Sequence, residues 1–120
     1  MAKLLQINSS LFGDNGNSST LANEFVQRWK AVNPAGDVVV RDFAKEEVPH
    51  LDATRVQALF SPAEDRTAEQ QAVLDYSDNI IAEIQAADAI VIGVPMYNFG
   101  VPSALKAYFD HIARAGVTFK

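Results

Sequence analysis

Apolar residues along this chain fall into two alternating patterns. Short unbroken runs at Lys3–Asn8, Asp37–Asp42 and Ala89–Gly93, rich in Leu, Ile and Val, read as strands. Between them lie longer stretches in which apolar residues recur three or four apart, the helical period. Ile90, Val91 and Ile92 are continuous rather than alternating, which predicts a strand covered on both faces and hence a parallel sheet. The resulting order is βαβ(α)αβα, with a right-handed crossover between the first two strands. The predicted fold class is α/β, a doubly wound parallel sheet of order 2-1-3, in one domain spanning residues 1–120.

The first helix is expected after the polar run Ser9–Thr20, with Ser18 or Ser19 as its N-cap and Asn33-Pro34-Ala35-Gly36 as its stop. Leu21, Phe25 and Trp29 should form its buried row, with Ala22, Val26 and Val32 alongside. Residues 43–66 make a longer excursion than a connection needs, which suits a segment covering a site or meeting another subunit. Within it Val48–Leu51 should turn, Asp52 should cap a short helix through Leu59, and Phe60 should pack on that helix. Thr67 is expected to cap a long helix to Ala86, burying Val73, Leu74, Ile80, Ile81 and Ile84. Pro102 opens the last helix, with Val101, Leu105, Tyr108, Phe109 and Ile112 on one face and a stop at Gly116.

Composition narrows the function classes. With 120 residues, 48% hydrophobic and 21% charged, the chain can bury a core and is not a disordered segment. A net charge of −5 argues against nucleic acid or an anionic membrane as partner. The absence of cysteine excludes disulfides, thiolate catalysis and Cys-based metal sites. No signal peptide and no apolar run of about 20 residues is visible, so a soluble cytoplasmic protein is expected. His50 and His111 lack any spaced carboxylate pattern and are expected in surface or capping roles, and no metal is expected. The run Lys45-Glu46-Glu47 is expected to be solvated. No Ser/His/Asp triad can be argued from spacing, so any redox chemistry would come from a cofactor.

Two strand-to-helix loops carry site-like chemistry. The first, Ser9 to Thr20, offers hydroxyls ahead of a helix N-terminus, where free N–H groups and the helix dipole favour an anion such as phosphate. It holds no Lys or Arg, and it matches neither the Walker loop nor the dinucleotide fingerprint. The same residues also suit an ordinary capped Ser/Asn loop. The second, Met96-Tyr97-Asn98-Phe99, offers apolar area, an amide and backbone N–H groups beyond the third strand. In a 2-1-3 sheet the two loops meet at the switch point, where ligands of such sheets bind. A ligand with a phosphate at one end and a flat ring at the other would span them, and flavin mononucleotide (FMN) has that shape.

The residues Pro95-Met96-Tyr97-Asn98-Phe99, Leu105-Lys106-Ala107-Tyr108-Phe109-Asp110 and Ala113-Arg114-Ala115-Gly116-Val117-Thr118-Phe119 carry a resemblance, together with Asn8-Ser9-Ser10 and Gly16-Asn17-Ser18. The chain resembles the FMN-dependent NADH-azoreductase family, which also act as NADH:quinone oxidoreductases and have a flavodoxin-like fold. The resemblance implies that Ser10, Gly16, Asn17 and Ser18 hold the FMN phosphate and that Met96, Tyr97, Asn98 and Phe99 line the isoalloxazine. It implies no catalytic side chain of the protein's own. It further implies ping-pong transfer of two electrons from NADH to a quinone or azo compound, and a homodimer with its pocket at the subunit boundary.

The family pattern has Ser-Gln where this chain has Gly16-Asn17, which leaves more of the phosphate to the backbone. Family members also continue past the point matching Phe119, so the chain reads as an N-terminal part whose third strand lies at an open edge, to be covered by another chain or a swapped copy. An alternative function is accordingly an inactive flavin-binding or structural half-domain. A signalling receiver would need an acidic cluster where Ser9-Ser10 stand and a phosphorylatable Asp near Met96-Tyr97, and is excluded on those residues.

Overall fold

A computed structural model describes residues 2–120. Three parallel strands make one sheet in the order β2-β1-β3. β1 (Lys3–Asn8) is central, pairing with β2 (Asp37–Asp42) from Lys3↔Asp37 to Asn8↔Asp42 and with β3 (Ala89–Ile92) from Leu4↔Ala89 to Ile7↔Ile92. Only the central strand is buried over nearly its whole length, because only it has a neighbour on each side. The expected 2-1-3 order is therefore the observed one.

Helices lie on both faces. α1 (Asn17–Val32) covers the face bearing Gln6, whose side chain bonds Asn23 of that helix. α3 (Ala68–Ala86) and α4 (Ser103–Ile112) cover the face bearing Leu5 and Ile7, which join Ile80, Leu105 and Tyr108 in the main core cluster. α2 (Ala53–Leu59) packs on α3. Two caps form as expected. Asp52 Oδ1 accepts from Arg55 N–H at 2.9 Å, and Thr67 and Gln70 complete a reciprocal capping box.

Several expectations are corrected. β3 is not covered on both faces: Ile90 and Ile92 remain about two-fifths exposed, since β3 is an edge strand with no partner on its outer side among the described residues. On α1 the buried positions are Ser19, Ala22 and Val26, while Leu21, Phe25 and Val32 remain exposed. The helix sits too close to the sheet for bulky side chains: a Cβ on Gly93 would lie 3.2 Å from the Ser18 carbonyl oxygen. The last helix ends at Ile112 rather than at Gly116, which instead takes φ +78 in the following turn, and Val101 lies outside the helix and exposed. Phe60 is exposed rather than packed.

The charged and histidine readings also change. Glu46 is not free in solvent; it and Glu83 of α3 both hold the Arg41 guanidinium, Glu83 through two bonds of 2.8 and 2.9 Å. The hydrogen bonding of Arg41 to the Glu83 carboxylate is the main cause of a raised Arg41 pKa, against the opposing effect of burial. His111 is fully buried. Its Nε2 lies 2.7 Å from the Pro49 carbonyl and its ring meets Tyr76 edge-on, so it ties α4 to the segment after β2. That segment is anchored at its start by Phe43, which packs on Tyr108 at 4.9 Å between ring centroids, and by Val48. His50 is exposed, as expected.

Candidate functional site

The carboxyl ends of β1 and β3 are adjacent, and their loops are stitched together. Gly93 N–H donates to the Ile7 carbonyl at 2.8 Å, and Ser9 Oγ donates to the Gly93 carbonyl at 3.0 Å. Further out, Leu11 N–H donates to the Tyr97 hydroxyl at 3.0 Å. Tyr97 thus has a bridging role that its sequence context did not announce.

The first loop folds back on itself before α1. Ser10 Oγ accepts from Phe12 N–H at 3.2 Å, and Gly13, at φ +59, turns the chain into a short 3-10 segment ending at Asn15. Gly16 then passes directly against Ser10. A Cβ built on it would lie 2.2 Å from Ser10 Oγ and 2.9 Å from Ser10 Cβ, so only glycine fits.

Gly16, not Ser18 or Ser19, is the N-cap of α1, and no side chain caps the helix. The N–H groups of the first turn are therefore without the side-chain acceptor that a Ser or Asp cap provides. Ser19 is buried instead, and the buried Ser18 Oγ has no hydrogen-bond partner among the described residues. An uncapped helix start, a glycine that lets the chain approach closely, and an orphaned hydroxyl together form a cradle for a group rich in acceptor oxygens.

In the second loop Tyr97 and Gly100 exchange both backbone hydrogen bonds at 3.0 Å. The two residues between them, Asn98 at φ 52 and Phe99 at φ 65, are both left-handed, as in a type I′ turn. Asn tolerates that region; a bulky residue such as Phe does not, and strain of this kind persists where surroundings or function require it.

Ser10, Gly16, Asn17, Ser18, Met96 and Tyr97 line one cavity of about 410 Å³, with Phe12, Leu21, Val94 and Pro95. Six of the eight expected site residues therefore meet. Asn98 lines a neighbouring cavity of about 530 Å³ with Ser9, Leu11, Phe43 and Tyr97. Phe99 lines neither and is 96% exposed. Phe12 and Val94 escaped notice in the sequence, although Phe12 lies inside the first loop and Val94 just ahead of the second. Phe43 gave no local signal, since its place at the cavity comes from its packing on Tyr108.

A family model described as the flavodoxin-like fold matches residues 2–120. The chain belongs to that family. It is 84% identical over 120 residues to an FMN-dependent NADH:quinone oxidoreductase of Cellvibrio japonicus, covering all of this chain and 60% of that protein. It is 56% identical to one from Marinomonas sp., covering all of this chain and 61% of that protein. Among solved structures it is similar to an azoreductase from Bacillus anthracis strain Sterne, with a TM-score of 0.88 at 29% identity, over 100% of this chain and 59% of that one. It also matches an FMN-dependent NADH-azoreductase from the B. anthracis Ames Ancestor strain in complex with FMN, with a TM-score of 0.86 at 28% identity, over 98% and 59% of the two chains. The chain thus spans about three-fifths of the length of the curated relatives it matches.

Proposed function

We propose that this flavodoxin-like chain is part of an FMN-dependent oxidoreductase that takes two electrons from NADH and passes them to quinones or azo compounds. The observation that carries the reading is the cradle at the start of α1, above all the buried Ser18 hydroxyl with no partner. FMN fits it: the phosphate would rest on the α1 N–H groups, Ser10 and Ser18, and the isoalloxazine on the Met96–Phe99 shelf. Asn17, whose side chain is exposed, would contribute chiefly its backbone N–H, as Gly16 makes room for close approach. The similarity to an FMN-dependent NADH:quinone oxidoreductase and to an FMN-dependent NADH-azoreductase in complex with FMN supports the choice.

Bound FMN would supply the hydride chemistry, accepting from NADH and releasing to the second substrate in ping-pong order. The chain's own residues bind and orient. The helix dipole and N–H groups would neutralise the phosphate without a salt bridge. Tyr97, held by Leu11 N–H, would fix the distance between the phosphate loop and the ring shelf. Met96 and Phe99 expose apolar surface that would exclude water from an apolar acceptor. No side chain near the shelf is placed as a proton donor in this reading; solvent supplies protons. We further read residues 1–120 as a single domain of a cytoplasmic homodimer, in which Leu11, Phe12, Met96 and Phe99, all exposed, lie at the subunit boundary.

Ser18→Ala tests the site. Its hydroxyl makes no bond within the protein, so removal should leave the thermal midpoint of the flavin-free protein unchanged or slightly raised. FMN affinity should fall about tenfold, the value of one hydrogen bond to a charged group. Unchanged FMN binding, or a protein that stays colourless with added FMN, defeats the reading.

A further inference from the structure

α1 carries the cradle, yet little apolar packing fixes where α1 sits along the sheet. Its buried positions are small or medium: Ser19, Ala22 and Val26. Opposite them is Gly93, with no side chain, whose ideal Cβ would come within 3.2 Å of the Ser18 carbonyl oxygen and 3.7 Å of the Ala22 Cβ. Surfaces of this kind let a helix approach closely, and beside the cradle no large knob is seated in a hole; the bulky side chain that α1 does seat, Trp29, lies at its far end against Gly36. The larger apolar residues of α1, Leu21 and Phe25, stay largely exposed, in an open groove beside Val91, Ile92 and Gly93 at the β3 edge.

One directional contact does cross this interface. Gln6, in the middle of the central strand and only 4% exposed, donates from Nε2 to Asn23 Oδ1 at 2.8 Å. The same Nε2 also lies 3.3 Å from Oδ1 of Asn8, two residues on along the strand and likewise buried. A glutamine there replaces an aliphatic residue that a buried parallel strand ordinarily takes, and a buried amide is costly unless bonded. Asn23 lies six residues inside α1, roughly 9 Å along its axis from the cradle. Asn8 is the last residue of β1, immediately before Ser9 and Ser10.

We propose that Gln6 is a positioning residue that sets the register of α1 against β1, and with it the height of the phosphate cradle above the sheet. Its bond to Asn23 fixes the helix, and its bond to Asn8 fixes the strand end from which the loop departs. The inference rests on the proposed FMN site, since it assigns Gln6 a part in holding the phosphate end of that ligand.

The test is titration of the full-length protein with FMN and with riboflavin, which has the same ring and no phosphate. Gln6→Met keeps length and removes the donor; Asn23→Leu removes the acceptor from the helix side. Each single variant should weaken FMN binding about tenfold and leave riboflavin binding within about twofold, which also reports an intact fold. The double variant should be no weaker than Gln6→Met, because the bond that Asn23→Leu breaks is already lost there. Equal loss of FMN and riboflavin affinity, undiminished FMN binding by either variant, or multiplicative losses in the double variant overturn the inference. A wild-type protein that binds FMN while the variants bind it equally well overturns this inference alone; a wild type that binds neither flavin overturns the proposed site with it.

Discussion

Gly16→Ala puts the tightest contact of the candidate site under load. The new Cβ would stand 2.2 Å from Ser10 Oγ and 2.9 Å from Ser10 Cβ, where ordinary contact begins at 3.4 Å. Ser10 has no room to yield: it is 2% exposed, its hydroxyl accepts from Phe12 N–H, and its carbonyl accepts from Gly13 N–H. Rotating the Ser10 hydroxyl away would leave its Cβ still too close, so the backbone of the loop or the first turn of α1 must move by about 0.5 Å. Overpacking on this scale costs about 1–3 kcal/mol. Thermal unfolding, followed by far-UV circular dichroism, should show a midpoint lower by about 5 °C per kcal/mol lost, or roughly 5–15 °C. The double variant Ser10→Gly/Gly16→Ala removes both clashing atoms and should recover most of that loss. A Gly16→Ala protein as stable as wild type, or a double variant no more stable than the single, would refute the close packing on which the cradle depends.

Two further outcomes follow from buried or strained groups. Phe99→Gly should raise stability by about 1 kcal/mol, because Phe pays for φ +65 while its 96% exposed side chain gains nothing from packing; an unchanged denaturation midpoint argues against strain in that turn. Burial pushes the Tyr108 phenol up to about 12 from its usual 10. Since the folded protein holds this proton more tightly than the unfolded chain, the phenol's contribution is constant below pH 10. It falls by about 1.4 kcal/mol per pH unit as pH rises from 10 toward 12. Tyr108→Phe should flatten that alkaline decline, and because the hydroxyl has no partner it should cost nothing at pH 7; a decline of undiminished steepness in the variant refutes the assignment.

Local chemistry alone determined a good part of this protein. Short apolar runs, β-branched in β2 and β3, gave the three strands, and the switch of period gave the helices between them. Asp52 and Thr67 capped their helices because a cap is a contact over three residues, readable from spacing. The two loops beyond β1 and β3 were recognisable because their residue types are unusual for plain connections, and parallel order 2-1-3 brings those strand ends together. Tertiary structure decided what lies across the chain. Whether Leu21 and Phe25 or Ala22 and Val26 are buried depended on how closely α1 approaches Gly93, a distance no periodicity contains. Ile90 and Ile92 read as doubly covered because hydrophobicity records what a strand can bury, whereas exposure depends on its neighbours. His111 was buried by a carbonyl sixty-two residues away, and Ser18 was left without a partner because Gly16 took the cap position. Spacing shows what a residue can do within a turn or two; only packing of distant segments decides which of its groups are satisfied and which remain open to a ligand.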